Sequence, residues 1–220
     1  MALSLLKSFN PPPVDVKEIL RYAGQKGEDP SIESIVDECL NEVSSVLSYK
    51  ACYAYVDCIV SDNVVTLGGE EIASKALAKN LAGCLKAVIF SCTIGLGIDR
   101  IIEKYKVTSP LKALITHAIG VERVESLANA FCLFLKEEVG ENLSLRPRFS
   151  AGYGDFKIEN QNLFFNKLES TKLLGITLNE SLLMSPSKSV TAVIGIAEEG
   201  GCNKEYSCVQ CGQRDCEYRR

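Results

Sequence analysis

The sequence predicts an α+β fold, a twisted antiparallel sheet with flanking helices. Three observations carry that expectation. Its apolar patterns come in groups: helices, then a hairpin, then helices, then a loop-and-strand section. The regular strand–helix alternation of a doubly wound parallel sheet does not occur. The 220 residues are 46% hydrophobic and 24% charged, a globular balance with apolar mass enough for a core.

The first thirteen residues are Pro-rich and are expected to form a loosely ordered arm. Asp15, with Glu18 three residues on, reads as a helix start, and the helix runs through Ile19, Leu20 and Tyr22 to about Gly24. Asp29-Pro30 opens a second helix, with proline suited to the first turn. Its residues Ile32, Ile35, Val36, Cys39, Leu40, Val43 and Leu47 recur at helical spacing, so one face is buried.

Tyr53 to Val60 and Asn63 to Leu67 read as two strands joined by a turn at Ser61-Asp62-Asn63, with Gly68-Gly69 ending the pair. Glu70 to Ala82 reads as a helix rich in Ala, Leu and Lys. Leu85 to Thr93 is an apolar run of strand length. Gly95-Leu96-Gly97 then reads as a tight turn opening a helix from about Ile98 to Tyr105; two glycines alone are weak evidence for a phosphate-binding loop. Ser109-Pro110 starts the longest helix, whose apolar stripe runs from Leu111 to Leu135 and which Gly140 stops. Residues 146–155 read as a loop, Glu159 to Leu168 as a helix, and Ile176 to Leu178 and Val190 to Ile196 as strands. Residues 14–199 would form the folded unit and 200–220 a Cys-rich tail.

Composition narrows the function. A net charge of -4 argues against a nucleic-acid partner, which wants a basic face. The apolar runs are too short to span a bilayer, and no secretion signal precedes the first helix, so a cytoplasmic protein without a membrane partner is expected. Six of the ten cysteines (Cys39, Cys52, Cys58, Cys84, Cys92 and Cys132) fall inside apolar patterns and read as buried reduced thiols. His117 is the only histidine, so neither a His–metal pair nor a His-based catalytic arrangement can be built, and it reads as a helix-face residue without chemistry.

Two constellations stand out. Arg146-Pro147-Arg148-Phe149-Ser150-Ala151-Gly152-Tyr153-Gly154 combines cations, small residues and an aromatic ring. Small residues let a ligand approach the backbone, an arginine binds a carboxylate in bidentate fashion, and a tyrosine can stack on a ring. The set suits a ligand with a carboxylate at one end and a flat base at the other; a turn-rich connector with surface ion pairs is the competing reading. The second constellation is Cys202, Cys208, Cys211 and Cys216, four thiols within fifteen residues. They have the ligand count for zinc or an iron–sulfur cluster, although their spacing matches neither the zinc ribbon nor the ferredoxin pattern; a Cys-rich tail that merely oxidises is the alternative.

The 146–154 segment resembles the Arg-x-x-x-Gly-Tyr-Pro signature of the activation domain of cobalamin-dependent methionine synthase. Asn160 to Phe164 resembles the helix after that signature. Gly175-Ile176-Thr177-Leu178-Asn179-Glu180-Ser181, Met184, Pro186 and Ser189-Val190 follow the family's order and spacing. Glu18 to Tyr22 and the helix from Gly120 to Leu135 resemble it more weakly. The resemblance implies the activation-domain fold and a site for S-adenosylmethionine (AdoMet). The signature's contact positions fall on Arg148, Ser150 and Tyr153, with Ala151 and Gly152 between them. Arg148 would hold the ligand's carboxylate and the Ser150 backbone would meet the adenine. Glu180 reads either as a carboxylate facing the ligand or as a structural hydrogen-bond partner at a strand end. Gly154 replaces the signature's last proline, Asn129 stands where the family has a glutamate near the ligand's amino end, and Ile194 stands where it has a second aromatic contact.

The resemblance further implies a stand-alone reactivation module. It would bind AdoMet over cobalamin presented by a methionine synthase, for reductive methylation of cob(II)alamin in trans with an electron donor. No catalytic acid or base is required of this chain, because the cobalt is the nucleophile. The alternative is a metal-binding or iron–sulfur reductive activator of another corrinoid protein. A fold kept only for a structural partner role is a third reading.

Overall fold

The computed structural model describes residues 3–198, apart from Lys26, Glu28 and Glu141. The helix α1 (Val16–Tyr22) begins where expected, with the Asp15 carboxylate accepting from the Glu18 amide at 3.1 Å. Asp29 caps α2 (Pro30–Ser44) in the same way through the Ser31 amide. Next come β2 (Lys50–Ser61) and β3 (Val64–Leu67), joined by a tight turn in which Asp62 takes a positive φ of 50°.

The sequence departs from expectation after that hairpin. Gly68 and Gly69 have φ values of 55° and 89°, so the pair forms a second hairpin turn rather than an end. Glu70–Ala73 is accordingly strand β4, and the helix α3 is confined to Lys75–Asn80 behind a Ser74 cap. A Gly-Gly turn that suits hairpin twist outweighs the helix propensity of Glu and Ala beside it.

The strand β5 (Lys86–Thr93), the helix α4 (Gly97–Thr108) and the thirty-residue helix α5 (Pro110–Val139) follow as the pattern predicts. After β6 (Leu143–Leu145) comes the 146–156 loop, then α6 (Gln161–Leu168) and α7 (Ser170–Leu174). The short strands β7 (Thr177–Leu178) and β8 (Met184–Ser185) pair with each other, and β9 (Ser189–Glu198) closes the described chain. The arm expected to be loosely ordered instead contains β1 (Leu5–Ser8), paired antiparallel with β2 in the register Leu5 to Tyr53. Alternation over four residues is too short to stand out in a Pro-rich stretch.

The seven-stranded antiparallel sheet has the order β4-β3-β2-β5-β9-β6, with β1 also on β2. Its central strands are covered on both faces, which explains their near-continuous apolar runs. Val88 and Phe90 of β5 and Ile194 of β9 face one layer, with α1, α2, α4 and α5. Ile89 of β5 and Val193 of β9 face the other, with α3, α6, α7 and the 146–156 loop. Phe90 stacks on Phe131 of α5 with ring centroids 4.5 Å apart, fixing the long helix against the sheet. The six core cysteines are free; five are buried and Cys132 is half-buried, and burial pushes the Cys58 thiol up to about 11. Among the described residues no helix is long and apolar enough to cross a membrane.

Candidate ligand-binding loop

The 146–156 loop is held at both ends. The Arg146 amide donates to the Gly195 carbonyl at 2.8 Å, and Phe149 and Val193 exchange backbone bonds at 2.9 Å each way, so the loop starts as a continuation of β6 along β9. Successive side chains therefore point to opposite faces. Phe149 joins the second layer, stacked on Phe156, while Arg148 reaches α5 in the first. At the far end the Asp155 carboxylate accepts from the Ser74 hydroxyl and from the Lys75 and Ala76 amides at 2.5, 2.8 and 3.1 Å. These bonds, the Ser74 hydroxyl first, hold the Asp155 carboxyl below its ordinary range.

Between these anchors the chain turns tightly. The Gly152 amide donates to the Phe156 carbonyl at 2.7 Å with φ at 95°, and the Tyr153 amide donates to the Ser150 carbonyl at 3.3 Å. Gly154 is also left-handed, with φ of 57°, which a proline could not adopt. Ala151 is buried in the second layer, Ser150 is half-buried, and the Tyr153 ring is 66% exposed.

Arg148 carries the charge of the site. One guanidinium nitrogen donates to Asn129 Oδ1 at 2.7 Å, and the other pairs with Glu125. Asn129 and Glu125 lie four residues apart on α5, one turn of the same face. The Arg148 side chain remains 24% exposed, so the ion pair is reachable from solvent. Its charge lowers the Cys132 thiol pKa, an effect that burial outweighs, so that thiol lies above its ordinary value.

The structure thus brings Arg148, Ser150, Ala151, Gly152 and Tyr153 into one loop and seats it on α5 through Asn129. Glu125 was not singled out from sequence; its spacing to Asn129 on the helix was the one available signal. Ile194 is 1% exposed in the first-layer core and presents no ligand-facing surface. Glu180 lies in the exposed turn between β7 and β8, and no hydrogen bond among the described residues joins it to the loop. The turn is organised by Asn179, whose Oδ1 accepts from the Ser181 and Leu183 amides at 2.9 Å. Cys202, Cys208, Cys211 and Cys216 lie outside the described residues, and among the described residues no cluster of His, Cys, Asp or Glu is placed to hold a metal ion.

A two-sided antiparallel sheet with a long helix across one face and this loop along its edge strand defines the class of fold. It is the fold of the MetH reactivation domain. The crystal structure of that domain bound to AdoHcy aligns with a TM-score of 0.67 at 12% identity, over 93% of this chain and 81% of that one. No family model and no curated protein matches the sequence.

Proposed function

We propose that this chain binds AdoMet through Arg148 and the Ser150–Tyr153 turn, and that it serves a cobalamin-dependent methionine synthase in trans. The observation that carries the reading is the Arg148 guanidinium held on α5 by Glu125 and Asn129 beside a turn of small residues. The likeness to a reactivation domain solved with AdoHcy supports the same ligand class.

The residues fit the ligand's chemistry. Arg148 offers a planar donor set to a carboxylate, and Glu125 supplies the negative charge that an ammonium or sulfonium group requires. Its carboxylate takes over the role expected at the Asn129 position one turn away. Ala151 and Gly152 leave the backbone open to close approach, and the exposed Tyr153 ring offers a face for the adenine. Bound AdoMet supplies an electrophilic methyl group for reductive methylation of the partner's cobalamin. This chain contributes binding and positioning, with no proton transfer of its own.

Calorimetric titration with AdoMet tests the reading. Binding to the wild-type protein that is lost in Arg148→Ala supports it, and absence of binding to the wild type refutes it. The cysteines of the tail support a second reading, a zinc or iron–sulfur centre for a reductive activator of another corrinoid protein. Anaerobic purification with metal analysis and a visible spectrum tests it, and a colourless protein without iron or zinc refutes it.

A further inference from the structure

Arg148 meets a carboxylate of its own chain in the place where the AdoMet reading puts the ligand's. Its Nη1 donates to Asn129 Oδ1 at 2.7 Å, and its Nη2 is paired with the Glu125 carboxylate. Both terminal nitrogens thus have acceptors, and a carboxylate that binds a guanidinium in bidentate fashion needs at least one of them. The two acceptors differ in charge. Asn129 is neutral, so Glu125 alone is a like-charged competitor of an incoming carboxylate. Among the described residues the Glu125 side chain has no hydrogen-bond or ion-pair partner besides Arg148. Its release therefore breaks one contact, while Asn129 keeps the guanidinium seated on α5. Both side chains of the pair are partly exposed, Arg148 by 24% and Glu125 by 34%, so packing does not lock either in place.

We infer that Glu125 is a specificity switch of this site, exchanging Arg148 for the ammonium of the ligand, so that the loop selects an α-amino-acid end over a carboxylate alone. The inference rests on the AdoMet reading given above. A carboxylate and an ammonium on one α-carbon are adjacent opposite charges, and so are Glu125 and Arg148. A ligand with both charges replaces one ion pair by two, each group meeting its opposite. A ligand with the carboxylate alone puts one anion on Arg148 in place of another. It leaves Glu125 half-buried, without its partner and beside a like charge. Discrimination thus comes from the penalty on the wrong ligand as well as from the contact with the right one. A carboxylate at position 129 would place Arg148 between two anions and make displacement harder; the asparagine confines the exchange to one residue.

Calorimetry of the full chain with AdoHcy and with its deaminated analogue tests this. The analogue keeps the carboxylate and has hydrogen in place of the α-amino group. Neither ligand carries a sulfonium charge, so the two differ at the ammonium alone. The wild type should bind AdoHcy about ten-fold more tightly than the analogue, or better. Glu125→Gln keeps the side-chain shape and drops the charge; it should weaken AdoHcy and tighten the analogue, so that the preference shrinks from both sides. Equal affinity of the wild type for the two ligands overturns the selection. Weakening of both ligands alike in Glu125→Gln overturns the exchange and makes Glu125 a brace for Arg148. Failure of the wild type to bind AdoHcy at all removes the AdoMet reading, and this inference with it.

Discussion

At the scale of single residues, Arg148 shows how much a sequence gives and withholds. The loop's composition suits a carboxylate binder at Arg148, but its partner Glu125 lies twenty-three positions away and no local pattern links the two. Arg148→Ala should weaken AdoMet binding by about 1.5–3 kcal/mol, the range for a lost hydrogen bond to a charged group, read by calorimetry. Glu125→Gln should weaken AdoMet more than methylthioadenosine, which lacks the amino-acid end; equal losses would remove Glu125 from the site. Asp155 was equally hidden, because a helix cap from a distant loop leaves no trace in spacing. Its pKa is depressed in the folded state, so its contribution to stability is present above the ordinary Asp range and is lost as pH falls through the folded value. Asp155→Asn should therefore lower the melting temperature at neutral pH, with the gap to wild type closing in acid.

At the scale of elements, the long and strongly periodic segments were legible. The helices α2 and α5 and the strands β5 and β9 follow from apolar spacing and from Asp29-Pro30, Ser109-Pro110 and Gly140 as boundaries. The short elements were not. The strands β1, β4 and β6 have three or four residues each, too few for a period to show, and they exist because a neighbouring strand edge pairs with them. Arg123 explains why the N-terminal arm is ordered. Its guanidinium, buried with Glu122, donates to the Pro12 and Pro13 carbonyls at 2.6 and 2.7 Å and ties the arm to α5. Arg123→Ala would free the arm and leave Glu122 buried without its partner. It should cost about 3–5 kcal/mol in denaturant unfolding, as breaking a buried pair does.

At the scale of the whole molecule, α+β was the correct class because grouped patterns exclude a wound parallel sheet. That both faces of the sheet are covered was implicit in the unbroken run Ala87–Cys92, which has no polar face to offer solvent except Ser91, and that hydroxyl meets Ser170 of α7 at 2.9 Å. The tail cysteines lie outside the described residues. On the reading in which the tail cysteines hold a metal, replacing Cys208 and Cys211 with serine should reduce metal content in the purified protein and leave any AdoMet affinity unchanged, and an unchanged metal content would remove these cysteines from that reading.

The position of the 146–156 loop has a further consequence. Arg148 touches the layer on one side of the sheet, while Phe149, Ala151 and Phe156 are packed into the layer on the other. The loop is a rivet through the edge of the molecule. A ligand bound there would brace both layers at once, so amide exchange should slow in α5 and in α3 at the same ligand concentration. Occupancy of a surface turn would then be legible from within the protein, as a single stiffening of both sides.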